Sequence, residues 1–80
     1  MSKAIDDIEG FKFVIYSNEG THKPHIHVKK AGTEIVFELT PEVNVRQIYD
    51  MKKQDIKKAW KLVLKNQSQL IKAYYDRHNR

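Results

Sequence analysis

Between Phe11 and Leu39 apolar residues fall mainly on alternate positions, and from about Met51 they recur at every third or fourth. This one change of period constrains the fold more than any other property of the chain. A period of two belongs to half-buried strands and a period near 3.6 to helices. The chain therefore reads as strands followed by helices, an α+β layout in a single domain, 1–80. Its 80 residues leave room for one small core.

The first strand is expected at Phe11, Phe13 and Ile15, alternating with Lys12, Val14 and Tyr16. Ser17-Asn18-Glu19-Gly20 breaks it. A second strand runs from His25 to Lys30, Ala31-Gly32 supplies a two-residue turn, and Thr33 to Thr40 forms the third, closed by Pro41. With that turn, Lys30 faces Thr33, Lys29 faces Glu34, Val28 faces Ile35, His27 faces Val36, Ile26 faces Phe37 and His25 faces Glu38. Ile26, Val28, Ile35, Phe37 and Leu39 then share the core side, while His25, His27, Lys29, Glu34 and Glu38 share the other, open side. A one-residue slip would bury the charges. Val43 to Val45 is a candidate short fourth strand, so the expected sheet is antiparallel, three- or four-stranded, and covers about 11–45.

The helical part covers about 51–77. Ile56, Ala59, Trp60, Val63 and Leu64, then Leu70, Ile71, Tyr74 and Tyr75, recur at helical spacing and should cover one face of the sheet. Asn66 followed by Gln69 resembles a capping box and favours two helices over one bent helix. Trp60 and Tyr74 read as packing residues, given the area an aromatic ring buries.

Lys and Arg exceed Asp and Glu by 15 to 10, a balance that favours an acidic partner such as nucleic acid, an acidic protein or a phospholipid surface. There is no cysteine, which removes disulfide and thiolate chemistry and suits a reducing cytoplasm. Asp6, Asp7 and Glu9 near the start, with no long apolar run, argue against a signal peptide or a membrane span.

Chemistry concentrates at His22, His25 and His27, three of the four histidines of the chain. Imidazole both titrates near neutrality and binds metals. Solvent exposure of a polar sheet face is the plain explanation of their alternation. The functional reading joins His25, His27, Glu38, Tyr16 and Lys12 into a metal-independent phosphodiester-cleavage site. Glu38 would pair with His25 and make it the acid, His27 would be the base, Lys12 would stabilise charge on phosphate, and Tyr16 would bond the phosphate or stack on a base. The competing use is a divalent ion such as zinc, held by His25 and His27 with His22 or Glu38 as a third ligand. A nucleotide-hydrolase alternating-histidine motif is set aside, because Lys29 occupies its third position.

Lys53, Lys57, Lys61 and Lys65 recur every fourth residue with few nearby acids. They form either a solvated helix face or a phosphate-tracking, nucleic-acid-binding stripe whose affinity would fall with salt.

Tyr16-Ser17-Asn18-Glu19, His22, Pro24-His25-Ile26-His27-Val28, the Gly32 turn, Phe37, Pro41-Glu42-Val43 and the two-part amphipathic helix around Asn66 together resemble a family of short bacterial proteins, the domain-of-unknown-function family four-one-six-zero. The resemblance spans about Phe11 to Tyr75. Members are often labelled toxin-antitoxin components, so it implies a toxin-antitoxin-type module with RNA or a small acidic antitoxin-like protein as partner. Lys23 stands where the usual signature has a second proline, and the loop is about one residue longer, which sets His22 apart from His25 and His27. Two functions thus stand: a ribonuclease-like enzyme, or a binding or regulatory module without chemistry.

Overall fold

The computed structural model describes residues 2–16 and 23–78. Strands β1 (Ser2–Ile8), β2 (Phe11–Ile15), β3 (His25–Lys30), β4 (Thr33–Glu38) and β5 (Asn44–Tyr49) precede helices α1 (Lys53–Lys65) and α2 (Gln67–His78). The strands form one antiparallel sheet in the order β1-β2-β3-β4-β5. The sheet is five-stranded, not three- or four-stranded. The strand that sequence reasoning left out is β1, whose pairing with β2 shifts register twice, between Lys3 and Ile5 and between Ile5 and Ile8. Each irregularity breaks the period of two, and an edge strand tolerates the charges of Asp6 and Asp7, so no alternation marks it. The fourth-strand candidate at Val43 to Val45 becomes β5, reaching Tyr49.

Two hairpins have two-residue turns with both central residues at positive φ: Glu9-Gly10 at 51° and 84°, Ala31-Gly32 at 49° and 81°. This is the turn whose twist matches that of the flanking strands. The β3–β4 register is the one read from the Ala31-Gly32 turn, from Lys30 opposite Thr33 to His25 opposite Glu38.

That register sends Ile26, Val28, Ile35 and Phe37 to one side, where they are fully buried with Phe11, Phe13, Leu39, Ala59, Val63, Leu70 and Tyr74. Burying a large apolar side chain contributes about 1.5–3 kcal/mol. Both helices therefore cover this face. Trp60 meets the Phe37 ring edge-on at 5.9 Å, yet is 36% exposed.

The helices divide at Asn66, as expected, though the hydrogen bond of its side chain runs backward. Its amide Nδ2 donates to the Leu62 carbonyl at 2.8 Å and so closes α1, while its own carbonyl accepts the Leu70 N–H at 2.9 Å. Gln67 Nε2 donates to the Leu39 carbonyl at 2.8 Å, tying the start of α2 to the end of β4. Lys30 Nζ reaches Asp55 at 3.4 Å and ties the start of α1 to the other end of the β3–β4 hairpin. No helix among the described residues is long and apolar enough to cross a membrane.

Candidate functional site

The side of the sheet away from the helices carries Val14, Tyr16, His27, Val36 and Gln47, because β2 pairs Val14 with His27, β3 pairs His27 with Val36, and β4 pairs Val36 with Gln47. Val14 and Val36 are 6% and 4% exposed, which gives this face an apolar floor. The histidines were expected on an open, solvent-facing surface. They are buried instead, His25 at 2% and His27 at 7% exposed.

Aromatic packing accounts for part of that burial. Tyr16 stacks on His27 with ring centroids 4.0 Å apart and planes at 21°. His25 lies edge-on to His27 at 5.4 Å, and it also meets Tyr74 of α2, tilted, at 5.5 Å. Tyr74 in turn lies 4.5 Å from His78. His25 thus sits at the start of β3, beyond the last β2 pairing of Val14 with His27, within reach of α2.

A buried imidazole needs partners for its polar atoms. His27 Nδ1 lies 2.6 Å from Glu34 Oε2, and His25 Nδ1 lies 2.7 Å from the Lys23 carbonyl. Both partners are pure acceptors, so each Nδ1 carries the proton and donates it. In a neutral ring this leaves Nε2 as the nitrogen with the lone pair.

The carboxylate partner is therefore Glu34 on His27, not Glu38 on His25. Glu38 does face His25 in register, but no hydrogen bond joins them among the described residues. Relative to His27, whose direct neighbour is Val36, both Glu34 and Glu38 are diagonal neighbours. Strand twist shortens one diagonal and lengthens the other, a choice that pair counting does not make.

A cleft of about 330 Å³ opens over these rings, lined by Tyr16, His25, His27, Glu34, Val36, Arg46, Gln47 and Tyr49. Of the residues singled out from sequence, Tyr16, His25 and His27 meet here. Lys12 does not line it: it lies opposite Lys29 and borders a separate hollow at the Ala31-Gly32 turn. His22 lies outside the described residues, and among the described residues no three His, Cys, Asp or Glu side chains are grouped to hold a metal ion. Lys53, Lys57, Lys61 and Lys65 are exposed on α1, on the helical side of the sheet, so they cannot line this cleft.

The cation that does line it is Arg46, which sequence reasoning missed. Val36 pairs with Gln47 while Phe37 pairs with Val45, so Arg46 is the extra residue of a β-bulge. A bulge places two residues opposite one and re-aims a side chain. Here it brings Arg46 and Gln47 together into the cleft. The signal was the spacing of Val45 and Ile48, which pair with Phe37 and Ile35 on one face yet stand three apart, where an unbroken strand would place residues of one face two or four apart.

Lys29 borders the site at Tyr16, its ammonium 5.0 Å from the ring centre. A hydrogen bond with Tyr16 raises its pKa above the ordinary lysine value, desolvation opposes this, and the charges of Tyr16 and Glu34 add to the rise.

No curated protein and no solved structure matches the chain. Residues 10–75, which include every strand and helix residue that builds the cleft, match the family described as Domain of unknown function (DUF4160), and the chain belongs to that family.

Proposed function

We propose that this protein is a nucleic-acid-directed module of the toxin-antitoxin type and that its histidine cleft cleaves RNA without a metal ion. The observation that carries the reading is the pair of imidazoles 5.4 Å apart, each with Nδ1 committed to an acceptor, beside Arg46 in one cleft. A carboxylate stabilises a cationic ring, whereas a neutral carbonyl only orients one. The roles therefore reverse from the sequence expectation: His27, on Glu34, is the proton donor and His25, on the Lys23 carbonyl, is the base.

His25 Nε2 takes the proton of a ribose 2′-hydroxyl and the 2′-oxygen attacks phosphorus. The bond to the 5′-oxygen breaks, and that oxygen leaves with the proton from His27 Nε2. The products are a 2′,3′-cyclic phosphate and a 5′-hydroxyl, and the proton inventory of the two rings is exchanged. Arg46 takes the place assigned to Lys12, neutralising charge that develops on the phosphoryl oxygens. Tyr49, 47% exposed at the cleft wall, offers a face for a base.

Burial of both rings favours a second reading, a binding module in which the histidines only hold the sheet together. The two separate in an RNA-cleavage assay with and without a chelator. On the first reading the protein yields cyclic-phosphate ends in the presence of chelator, and His25→Ala with His27→Ala lowers the rate by about 10²-fold or more. Equal cleavage, or none, by the parent and a folded double variant removes the enzyme and leaves the binding module.

A further inference from the structure

The helical side of the molecule carries a second surface that the cleft does not use. Residues four apart on an α-helix advance by about 40° around its axis, since 3.6 residues make a turn. The row Ile56, Trp60, Leu64 therefore winds out of the core as α1 proceeds. Exposure rises along it, from half-buried Ile56 to 36% at Trp60 and 52% at Leu64. The parallel row Lys57, Lys61, Lys65 lies one residue further round, wholly on the solvent side, and Lys53 stands beside the hollow between Ile56 and Trp60. That hollow has a volume of about 490 Å³.

The lysines are uncompensated. Asp55, the one acid of α1, is drawn to Lys30 of β3, and none of the four lysines makes an ion pair among the described residues. An apolar strip along one helix, bordered on its outer side by a continuous row of positive charge, is half of an interface between helices. The apolar strip supplies the area and the charge row selects partner and orientation. A tryptophan that is packed at its edge yet one-third exposed is a residue type on which binding energy concentrates.

We infer that α1 is a docking surface for an acidic amphipathic helix of a partner protein. Its apolar residues would lie on Ile56, Trp60 and Leu64, and its Glu or Asp side chains, four residues apart, would meet Lys57, Lys61 and Lys65. Charge complementarity decides among occupants. A second copy of this chain, its α1 antiparallel to this one about a twofold axis, would set one lysine row against the other, and in any orientation it would bring a second net charge of +5 to the surface. A nucleic acid would use the lysines but leave the aliphatic Leu64 and Ile56 without a counterpart. The surface lies across the sheet from the histidine cleft, so the inference stands apart from the cleavage reading.

Trp60 is the only tryptophan of the chain, so its fluorescence reports on this surface directly. The titrants are a synthetic amphipathic helical peptide with leucines on one face flanked by glutamates, the same peptide with lysine for glutamate, a single-stranded RNA oligonucleotide, and vesicles of anionic phospholipid. The expected result is a saturable blue shift with the acidic peptide alone, weakened at least tenfold by Lys57→Glu with Lys61→Glu and also by Leu64→Glu. Both variants alter only exposed positions, and a circular-dichroism melt checks that the fold is retained. The inference is overturned if the acidic peptide gives no shift at millimolar concentration, if charge reversal leaves its affinity within twofold, or if RNA or vesicles compete for Trp60 equally well.

Discussion

Replacing Glu34 by alanine removes the acceptor of the His27 Nδ1 proton and leaves that donor beside a ring that is 7% exposed. The cost follows from burial. A buried donor left without a partner costs about 1–3 kcal/mol, and a hydrogen bond to a charged group is worth about 1.5–3 kcal/mol. Loss of the contact between Lys29 and Glu34, at 4.0 Å with the lysine side chain 31% exposed, adds little. We expect Glu34→Ala to destabilise the fold by about 2–3 kcal/mol, a large share of the roughly 4–12 kcal/mol available to a chain of this length. Glu34→Gln keeps an acceptor oxygen and should cost about half as much. Glu38→Ala, at the position directly opposite His25, should stay within about 0.5 kcal/mol. In a urea titration with a slope near 1 kcal/mol/M the three midpoints separate by an amount easily measured. Imidazole nitrogen NMR adds an independent readout, because only loss of Glu34 should disturb the His27 Nδ1–H signal. If Glu38→Ala proves as costly as Glu34→Ala, or the His27 signal survives without Glu34, the diagonal pairing is wrong and the assignment of proton donor and base goes with it.

Three further outcomes follow from the same geometry. Ala31 holds φ at 49°, a conformation that costs a residue with a Cβ about 1–2 kcal/mol and that asparagine tolerates better, so Ala31→Asn should raise stability by about 0.5–1 kcal/mol in a thermal melt. Phe37 is fully buried against Trp60, and Phe37→Ala should cost about 3–5 kcal/mol, enough that far-ultraviolet circular dichroism at 37 °C shows a largely unfolded chain. Arg46 is exposed and has no ion pair among the described residues, so Arg46→Gln should leave the melting temperature nearly unchanged while lowering RNA cleavage by about tenfold or more; an unchanged rate would remove Arg46 from the site.

How far the sequence alone could go is visible at particular residues. The register of the β3–β4 hairpin was legible to the residue, because Gly32 set the turn and a one-residue slip would have buried Lys29, Glu34 and Glu38, although β4 ends at Glu38 and not at the expected Thr40. The division of the helices at Asn66 was legible too, although the hydrogen bond behind it was not. What escaped was whatever departs from a regular period or depends on twist. Strand β1 lacks alternation because its pairing slips twice. Arg46 enters the cleft only because one residue is inserted opposite Val36 and Phe37. Glu34 reaches His27 through a diagonal, and the burial of the histidines arises from Tyr16 and Tyr74, one in the segment after β2 and the other near the far end of α2.

That last arrangement sets an order of events. His25 is flanked by a tyrosine 49 positions further along the chain, on a helix fastened to the strands through Gln67 and the Leu39 carbonyl. While the chain is being synthesised, the hairpin bearing both imidazoles is complete well before Tyr74 exists. A nascent sheet consequently holds both rings but lacks the tyrosine that packs on His25, a contact that arrives only when the second helix docks. Anything that pries this helix loose would uncover His25 without touching any residue that lines the cleft.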